Sequence, residues 1–284
     1  MTDRAKALRT LIASGEHFVA AEAYSALTGR IVERVGFKAA YLGGHACSAF
    51  HYAVPDNGIF SQVEQIDQAG RIADAIGIPL IADADTLGET VADAFHFGRR
   101  YARSGIAGIH VEDENNPKHS SYSSGLCSIA DMQFRIEACA KGRGDAGLVI
   151  IARCDEMYPD ARRGGGNGSI EEAIKRGKAY AEAGADALVF PIASPEAHAR
   201  IVPEMPIPVC TLGFDLPDTA FTLSTGWGWT GAAQLHYARA KELMETGKVV
   251  MDHVLPDKDA LLEQDVYDAL VREWAEKTGR KSRD

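Results

Sequence analysis

At 284 residues the chain holds one large domain or two small ones, and a single α/β barrel commonly takes about 250. Its composition, 46% hydrophobic and 25% charged, is that of a globular protein and excludes general disorder. A net charge of −10 argues against non-specific nucleic-acid binding and points to a small partner or a locally basic pocket.

The opening stretch, MTDRAKALRTLI, reads as an amphipathic helix, not a secretion signal, and no run of eighteen apolar residues offers a membrane span. Five cysteines (Cys47, Cys127, Cys139, Cys154, Cys210) with no close pairing make neither a disulfide framework nor a zinc ribbon and suit a reducing cytoplasm. Short β-rich runs then alternate with helical patterns, the βαβ signal of a parallel sheet. Strands are expected at 17–21, 39–42, 79–82, 108–111, 147–152, 187–190, 209–212 and, more weakly, 222–225. Helices are expected at 25–35, 61–76, 86–104, 129–141 and 169–183, several closed by a glycine (Gly36, Gly105, Gly184) of the kind a left-handed cap prefers. Eight strands suit a (β/α)₈ TIM-type barrel, with a doubly wound open sheet as the alternative. No linker divides residues 1–284, so one domain is expected, with a helical tail from about 253. The tail segments 258–264 and 265–277 carry Leu261, Leu262, Val266, Leu270 and Trp274 at helical spacing, a stripe for the parent barrel or a neighbouring subunit.

Reactive groups of a parallel barrel sit at the C-terminal strand ends, and acids collect there. Asp83 and Asp85 close one strand, Glu112 and Asp113 the next, Arg153 and Asp155 a third, and Asp56 lies in a Pro-Asp-Asn-Gly loop. Positions i and i+2 of a strand share a face, so Asp83 and Asp85 can share a ligand. Converging carboxylates repel unless a divalent cation neutralises them, and oxygen-only ligands favour Mg²⁺ or Mn²⁺ over zinc. The competing use of such acids is helix capping, which suits one of them better than all together.

The strings AAYLGGHACSAFHYAVPDNG, IADADT, IHVEDENNPKHSSY, IARCDE and AYAEAGADALVF, in this order over roughly residues 17–190, resemble the isocitrate lyase/phosphoenolpyruvate mutase superfamily. The chain looks like a divergent, 2-methylisocitrate lyase-like member. The resemblance implies a (β/α)₈ barrel, a Mg²⁺ site, and cleavage or formation of C–C or P–C bonds beside an oxo or hydroxy carboxylate. It also implies a homo-oligomer, a tetramer or dimer, with the last barrel helix exchanged between subunits. Carried over by position, Asp83 is the direct metal ligand, and Asp85, Asp56 and Glu112 hold the ion directly or through water. Tyr41, Gly43, Gly44 and His45 match the loop that takes the substrate carboxylate on backbone N–H groups. Arg153 matches the arginine that grips the substrate oxygens, and Lys118 the lysine of a closing loop.

The departures are as informative. Lyases of this family carry a cysteine as general acid in that loop, where this chain reads Lys118-His119-Ser120-Ser121-Tyr122, so Ser120 stands in its place. A hydroxyl is far less acidic than a thiol and cannot simply inherit proton transfer. Ser121 matches a serine of the mutase and phosphonopyruvate hydrolase branch, whose neighbouring asparagine is absent. His119 and Tyr122 are candidates for the acid–base work, with solvent-facing loop residues as the plain alternative; Cys127 is a further thiol better read as packing. Polar positions expected after the later strands read Pro191-Ile192 and Leu212-Gly213. With Phe214, Trp227 and Trp229 these suggest a more apolar half-site and a leaving fragment less polar than succinate, although the two tryptophans suit core or interface better. The Arg162–Ser169 stretch, glycine-rich but without a Gly-Lys-Ser/Thr signature, reads as a loop from which Arg162 or Arg163 could reach a second carboxylate. His51, His96, His110, His198, His236 and His253 share no metal-ligand spacing.

The sequence thus reads as a cytoplasmic Mg²⁺-dependent C–C lyase acting on a small 2-hydroxy or 2-oxo carboxylic acid through an enolate. Lys118, Ser120, His119 and Arg153 are its catalytic residues, and Tyr41, Gly43, Gly44, His45, Ser121 and Arg153 bind substrate. A phosphonopyruvate hydrolase or mutase, an oxaloacetate hydrolase or decarboxylase, and a carboxylate-binding barrel without turnover are the alternatives.

Overall fold

The computed structural model describes residues 2–158, 165–213, 216, 218–250 and 254–280. In chain order the elements are α1 (Asp3–Ala13), β1 (Phe18–Glu22), α2 (Ala26–Val35), β2 (Ala39–Leu42), α3 (Gly44–Cys47), α4 (Gln62–Ala75), β3 (Leu80–Asp83), α5 (Val91–Arg103) and β4 (Gly108–Glu112). There follow α6 (Ile129–Arg143), β5 (Val149–Arg153), α7 (Ile170–Glu182), β6 (Ala187–Val189), α8 (Pro195–Ile201), β7 (Val209–Leu212), β8 (Phe221–Leu223), α9 (Trp227–Thr246), α10 (Lys258–Leu261) and α11 (Gln264–Thr278). All eight strands are parallel and close into a barrel, β8 pairing with β1 at Phe18 and Phe221, whose rings stack 5.0 Å apart. The (β/α)₈ reading holds and the open sheet is excluded.

Strand periodicity decides what faces inward. Ala39, Ile81, Val149 and Ile151 lie in the barrel interior, while Leu80, Ile109, Val111 and Ile150 pack outward against the helices. With a period of two, the inward set continues to Tyr41, Asp83, Glu112 and Arg153 at the C-terminal strand ends. Leu8 of α1, fully buried, belongs to the interior cluster, and Arg9 pairs with Asp186 at 2.9 Å.

Two expectations about helices need correction. The helix expected from residue 86 begins at Val91, because Asp85, Leu87 and Gly88 take positive φ and Thr90 caps α5 by accepting from the Asp93 N–H. Helix α9 was not foreseen: Trp227, Trp229, Leu235, Tyr237, Leu243 and Met244 fall around its whole circumference, leaving no stripe to read.

The chain divides into two compact units, residues 1–233 and 234–284. The first contains the barrel. The second contains the end of α9, α10 and α11, and α11 exposes Val266, Tyr267, Leu270, Val271 and Trp274. No helix among the described residues is long and apolar enough to cross a membrane.

Helices α5 and α6 meet through glycines. A Cβ on Gly142 would lie 2.2 Å from the Phe95 carbonyl oxygen, and one on Gly98 2.9 Å from that of Cys139. Gly142→Ala is therefore expected to lower stability by about 1–3 kcal/mol in urea denaturation. Gly231→Ala in α9, where a Cβ meets nothing within 4 Å, should raise it by up to about 1 kcal/mol.

Candidate active site

Serine and threonine do most of the helix capping in the barrel. Barrel helices α2, α4, α5, α6, α7 and α8 are capped by Ser25, Ser61, Thr90, Ser128, Ser169 and Ser194, each accepting a backbone N–H. Helix α9 starts differently. The buried Glu22 carboxylate at the end of β1 accepts from the Gly226, Gly228 and Trp229 N–H groups and the Thr225 hydroxyl.

Asp83, Asp85 and Glu112 converge, each offering an oxygen within 4.8 Å of the others. Strand alternation delivers Asp83 and Glu112, but Asp85 arrives by another route. It lies beyond β3 with φ 45°, and its N–H donates to Asp83 Oδ1 at 2.9 Å. Asp83 Oδ2 accepts the Gly44 N–H at 3.0 Å, and a Cβ on Gly44 would stand 2.6 Å from that oxygen, so only glycine permits the approach. On Gly43 a Cβ would lie 3.0 Å from the Thr225 hydroxyl.

Lys118 is completely buried among these acids. Its ammonium touches Asp85 Oδ1 and lies 3.1 Å from both Asp56 Oδ1 and Glu112 Oε1. Burial disfavours the ammonium, yet Asp85, Glu112 and Asp56 hold its pKa well above the usual lysine range. Arg153 supplies the second cation, with Nη1 3.0 Å from Glu112 Oε2 and Nε 2.9 Å from Asp155. Burial would raise Asp83, but His110, Lys118 and Arg153 outweigh it and keep the carboxyl well below its usual range. Burial raises Asp85 against the pull of Lys118, and with Asp83, Asp56 and Glu112 close by its pKa reaches about 8.

Above this cluster a cavity of about 570 Å³ opens, lined by Tyr41, Gly43, Gly44, His45, Asp56, Asp83, His119 and Arg153 on one side and Pro55, Tyr158, Pro191, Ile192 and Leu212 among its apolar walls. That volume suits a small metabolite. The structure therefore brings Tyr41, Gly43, Gly44, His45, Asp56, Asp83, His119 and Arg153 to one cavity, with Asp85, Glu112 and Lys118 beneath. Ser120 and Ser121 are not among its lining residues; the Ser120 hydroxyl accepts the Tyr122 N–H, and Ser121 and Tyr122 are exposed. Cys127 is buried, with its thiol pushed up to about 11 by burial, and no described cysteine lines the cavity. Trp229 lies against His45 with ring centroids 5.0 Å apart and planes tilted by 51°, while Trp227 is exposed and donates to Ser224. Phe214, Arg162, Arg163 and His253 lie outside the described residues.

Several participants escaped the sequence reading. His110 accepts or donates to the Tyr41 hydroxyl at 2.7 Å and sits 3.5 Å from Asp83. Its position two before Glu112 on one strand was the available signal. Gln65 donates to Asp85 from α4, and Glu114, buried and raised to about 8 by burial and by Asp155 and Glu112, accepts the His119 N–H. Left-handed backbone at Asp85, Leu87, His119 and Ile192 gathers around the same mouth, where strain belongs to function more often than to packing.

A family model described as phosphoenolpyruvate phosphomutase matches residues 8–225. The 2,3-dimethylmalate lyase of Eubacterium barkeri is 37% identical over 68% of this chain and 64% of that protein. The phosphonopyruvate hydrolase of a Variovorax species is 35% identical over 65% and 62%. The matched segments thus span just under two thirds of these relatives' lengths. A crystal structure of phosphonopyruvate hydrolase in complex with oxalate and Mg²⁺ superposes with TM-score 0.81 at 26% identity, covering 95% of this chain and 98% of the other.

Removing the Lys118 charge would leave buried acids facing one another. Lys118→Met is expected to cost about 3–5 kcal/mol at pH 7. Without the ammonium the acids bind protons more readily folded than unfolded. Urea midpoints should therefore show the deficit shrinking from pH 8 to pH 5.

Proposed function

The chain belongs to the phosphoenolpyruvate mutase/isocitrate lyase superfamily, and from that premise we propose a divalent-metal-dependent carbon–carbon lyase acting on a 2-hydroxy or 2-oxo carboxylic acid. The observation that carries this reading is the meeting of Asp83, Asp85 and Glu112 under a cavity that also holds Arg153. The acids suit an oxygen-seeking cation. Both Glu112 oxygens are buried and ion-paired yet accept no hydrogen bond, and the donor set is all carboxylate. Mg²⁺ is the ion we assign, with Mn²⁺ as its substitute. Asp83 would hold it, supported by Asp85, Glu112 and Asp56. When bound, the cation supplies positive charge to the substrate oxygens on which negative charge develops.

The chain's own groups do the rest. Two donors of the Arg153 guanidinium are engaged from behind by Glu112 and Asp155, and the remaining ones serve a carboxylate in the cavity. Lys118 places a positive charge against Asp56, Asp85 and Glu112 beneath the substrate. His119 takes the proton. Its Nδ1 lies 3.0 Å from the Asp56 carbonyl oxygen, which can only accept, so Nδ1 carries the hydrogen and Nε2, buried 4.0 Å from Glu114 Oε2, the lone pair. Burial, with Lys118 and Arg153 nearby, lowers its pKa and keeps the ring neutral. For a 2-hydroxy acid with an electron-accepting carbonyl or carboxyl group on C3, His119 removes the hydroxyl proton, the C2–C3 bond breaks with its electrons moving through C3 into that group, and C2 becomes a carbonyl. The proton held by His119 then returns to C3, which completes an oxo acid and a saturated fragment.

The likeness to a phosphonopyruvate hydrolase favours P–C cleavage as the second reading, which phosphate release from phosphonopyruvate would establish. Exposed apolar side chains on α11 support a homo-oligomer, which sedimentation would show.

Screening 2-hydroxy acids, beginning with 2,3-dimethylmalate and 2-methylisocitrate, for Mg²⁺-dependent oxo-acid release tests the activity. With an active substrate in hand, His119→Gln is expected to lower kcat by about 10²–10⁴-fold. Ser120→Ala should have the smaller effect of the two; the reverse ranking would move proton transfer to the serine.

A further inference from the structure

Charge is distributed unevenly over the cavity. The acids, His119 and Arg153 come from β2, β3, β4 and β5 and the loops that follow them, whereas the wall after β6 and β7 is Pro191, Ile192 and Leu212, faced by Pro55 and Tyr158. Among the described lining residues Arg153 is the one permanent cation, and Glu112 and Asp155 already draw on it. One carboxylate can be matched at that end. A further carboxylate against the β6–β7 wall would lose water and, among the described lining residues, meet no second permanent cation there.

Ile192 shows that this wall is built at a cost. Its φ is 60°, left-handed backbone that a β-branched side chain rarely enters; it is 53% exposed and lines the cavity. Neither feature serves the core. Glycine or asparagine would hold the turn with less strain, so the isoleucine is explained by what its side chain touches in the cavity.

We propose that Ile192, with Leu212 and Pro191, determines specificity: the part of the substrate resting on the β6–β7 wall is an uncharged alkyl group, and the charged substrate groups all lie at the Arg153 end. This rests on the proposed enolate site and names the substrate class that site takes.

The test is calorimetric titration with Mg²⁺ present, using oxalate, 4-methyl-2-oxopentanoate and 2-oxoglutarate. The two oxo acids share a head and differ in an isopropyl or a carboxylate end. Wild type should bind oxalate and favour 4-methyl-2-oxopentanoate over 2-oxoglutarate by about tenfold or more. Ile192→Gly and Ile192→Asn, both suited to the left-handed turn, should melt at a higher temperature than wild type while that preference falls at least about threefold. Equal or tighter binding of 2-oxoglutarate by wild type, or an undiminished preference in both variants, would overturn the assignment while oxalate binding leaves the enolate site standing. Failure of oxalate itself to bind would remove both.

Discussion

The structure depends on one electrostatic demand: Asp56, Asp83, Asp85, Glu112 and Asp155 share the barrel mouth with two cations, Lys118 and Arg153. Two like charges 4 Å apart repel by about 4 kcal/mol at an effective dielectric near 20, a large fraction of a domain's whole stability. No fold keeps such a cluster for its own sake. The acids relieve one another partly by proton binding, with Asp85 raised to about 8 and Asp155 to about 7, both by burial first and by neighbouring carboxylates after it. Lys118 relieves Asp56, Asp85 and Glu112 directly. Asp83, which that ammonium does not touch within ion-pair distance and which lines the cavity, is the carboxylate left to face a ligand.

Much of this was legible in the sequence because alternation along a parallel strand obeys one rule. Once Ile81 and Ile151 are inside, Asp83 and Arg153 must be inside as well. The same rule gave the right partner for Asp83 for a partly wrong reason: Asp85 is off the strand, in left-handed backbone, and reaches the cluster through its turn. What stayed hidden lacked a local signal. Lys118 reads as a loop residue until tertiary packing buries it, and His110 reads as a lone histidine until Tyr41 is placed beside it. Helix α9 has no apolar stripe, and its start is set by Glu22, some two hundred residues earlier.

The cavity joins a charged half, with Asp56, Asp83 and Arg153, to a more apolar half with Pro191, Ile192 and Leu212. On the proposed reading the charged half takes a carboxylate and the oxygen beside it. Loop residues decide which bond is attacked. Here His119, whose ring lies 6.1 Å from that of Tyr158, lines the cavity and Ser120 does not, although the resemblance puts Ser120 where lyases of the family carry a cysteine. His119 takes left-handed backbone (φ 51°), and Ser120, the residue after it, is not among the lining residues.

The central claim is that Asp83 anchors a divalent cation for an enolate-like ligand, and oxalate, a planar mimic of the pyruvate enolate, tests it most directly. Titrating oxalate into wild type and Asp83→Ala, with and without Mg²⁺, should give heat in wild type that requires the metal and vanishes in the variant. Binding that ignores Mg²⁺ and survives Asp83→Ala, or no binding with either Mg²⁺ or Mn²⁺, would contradict the account.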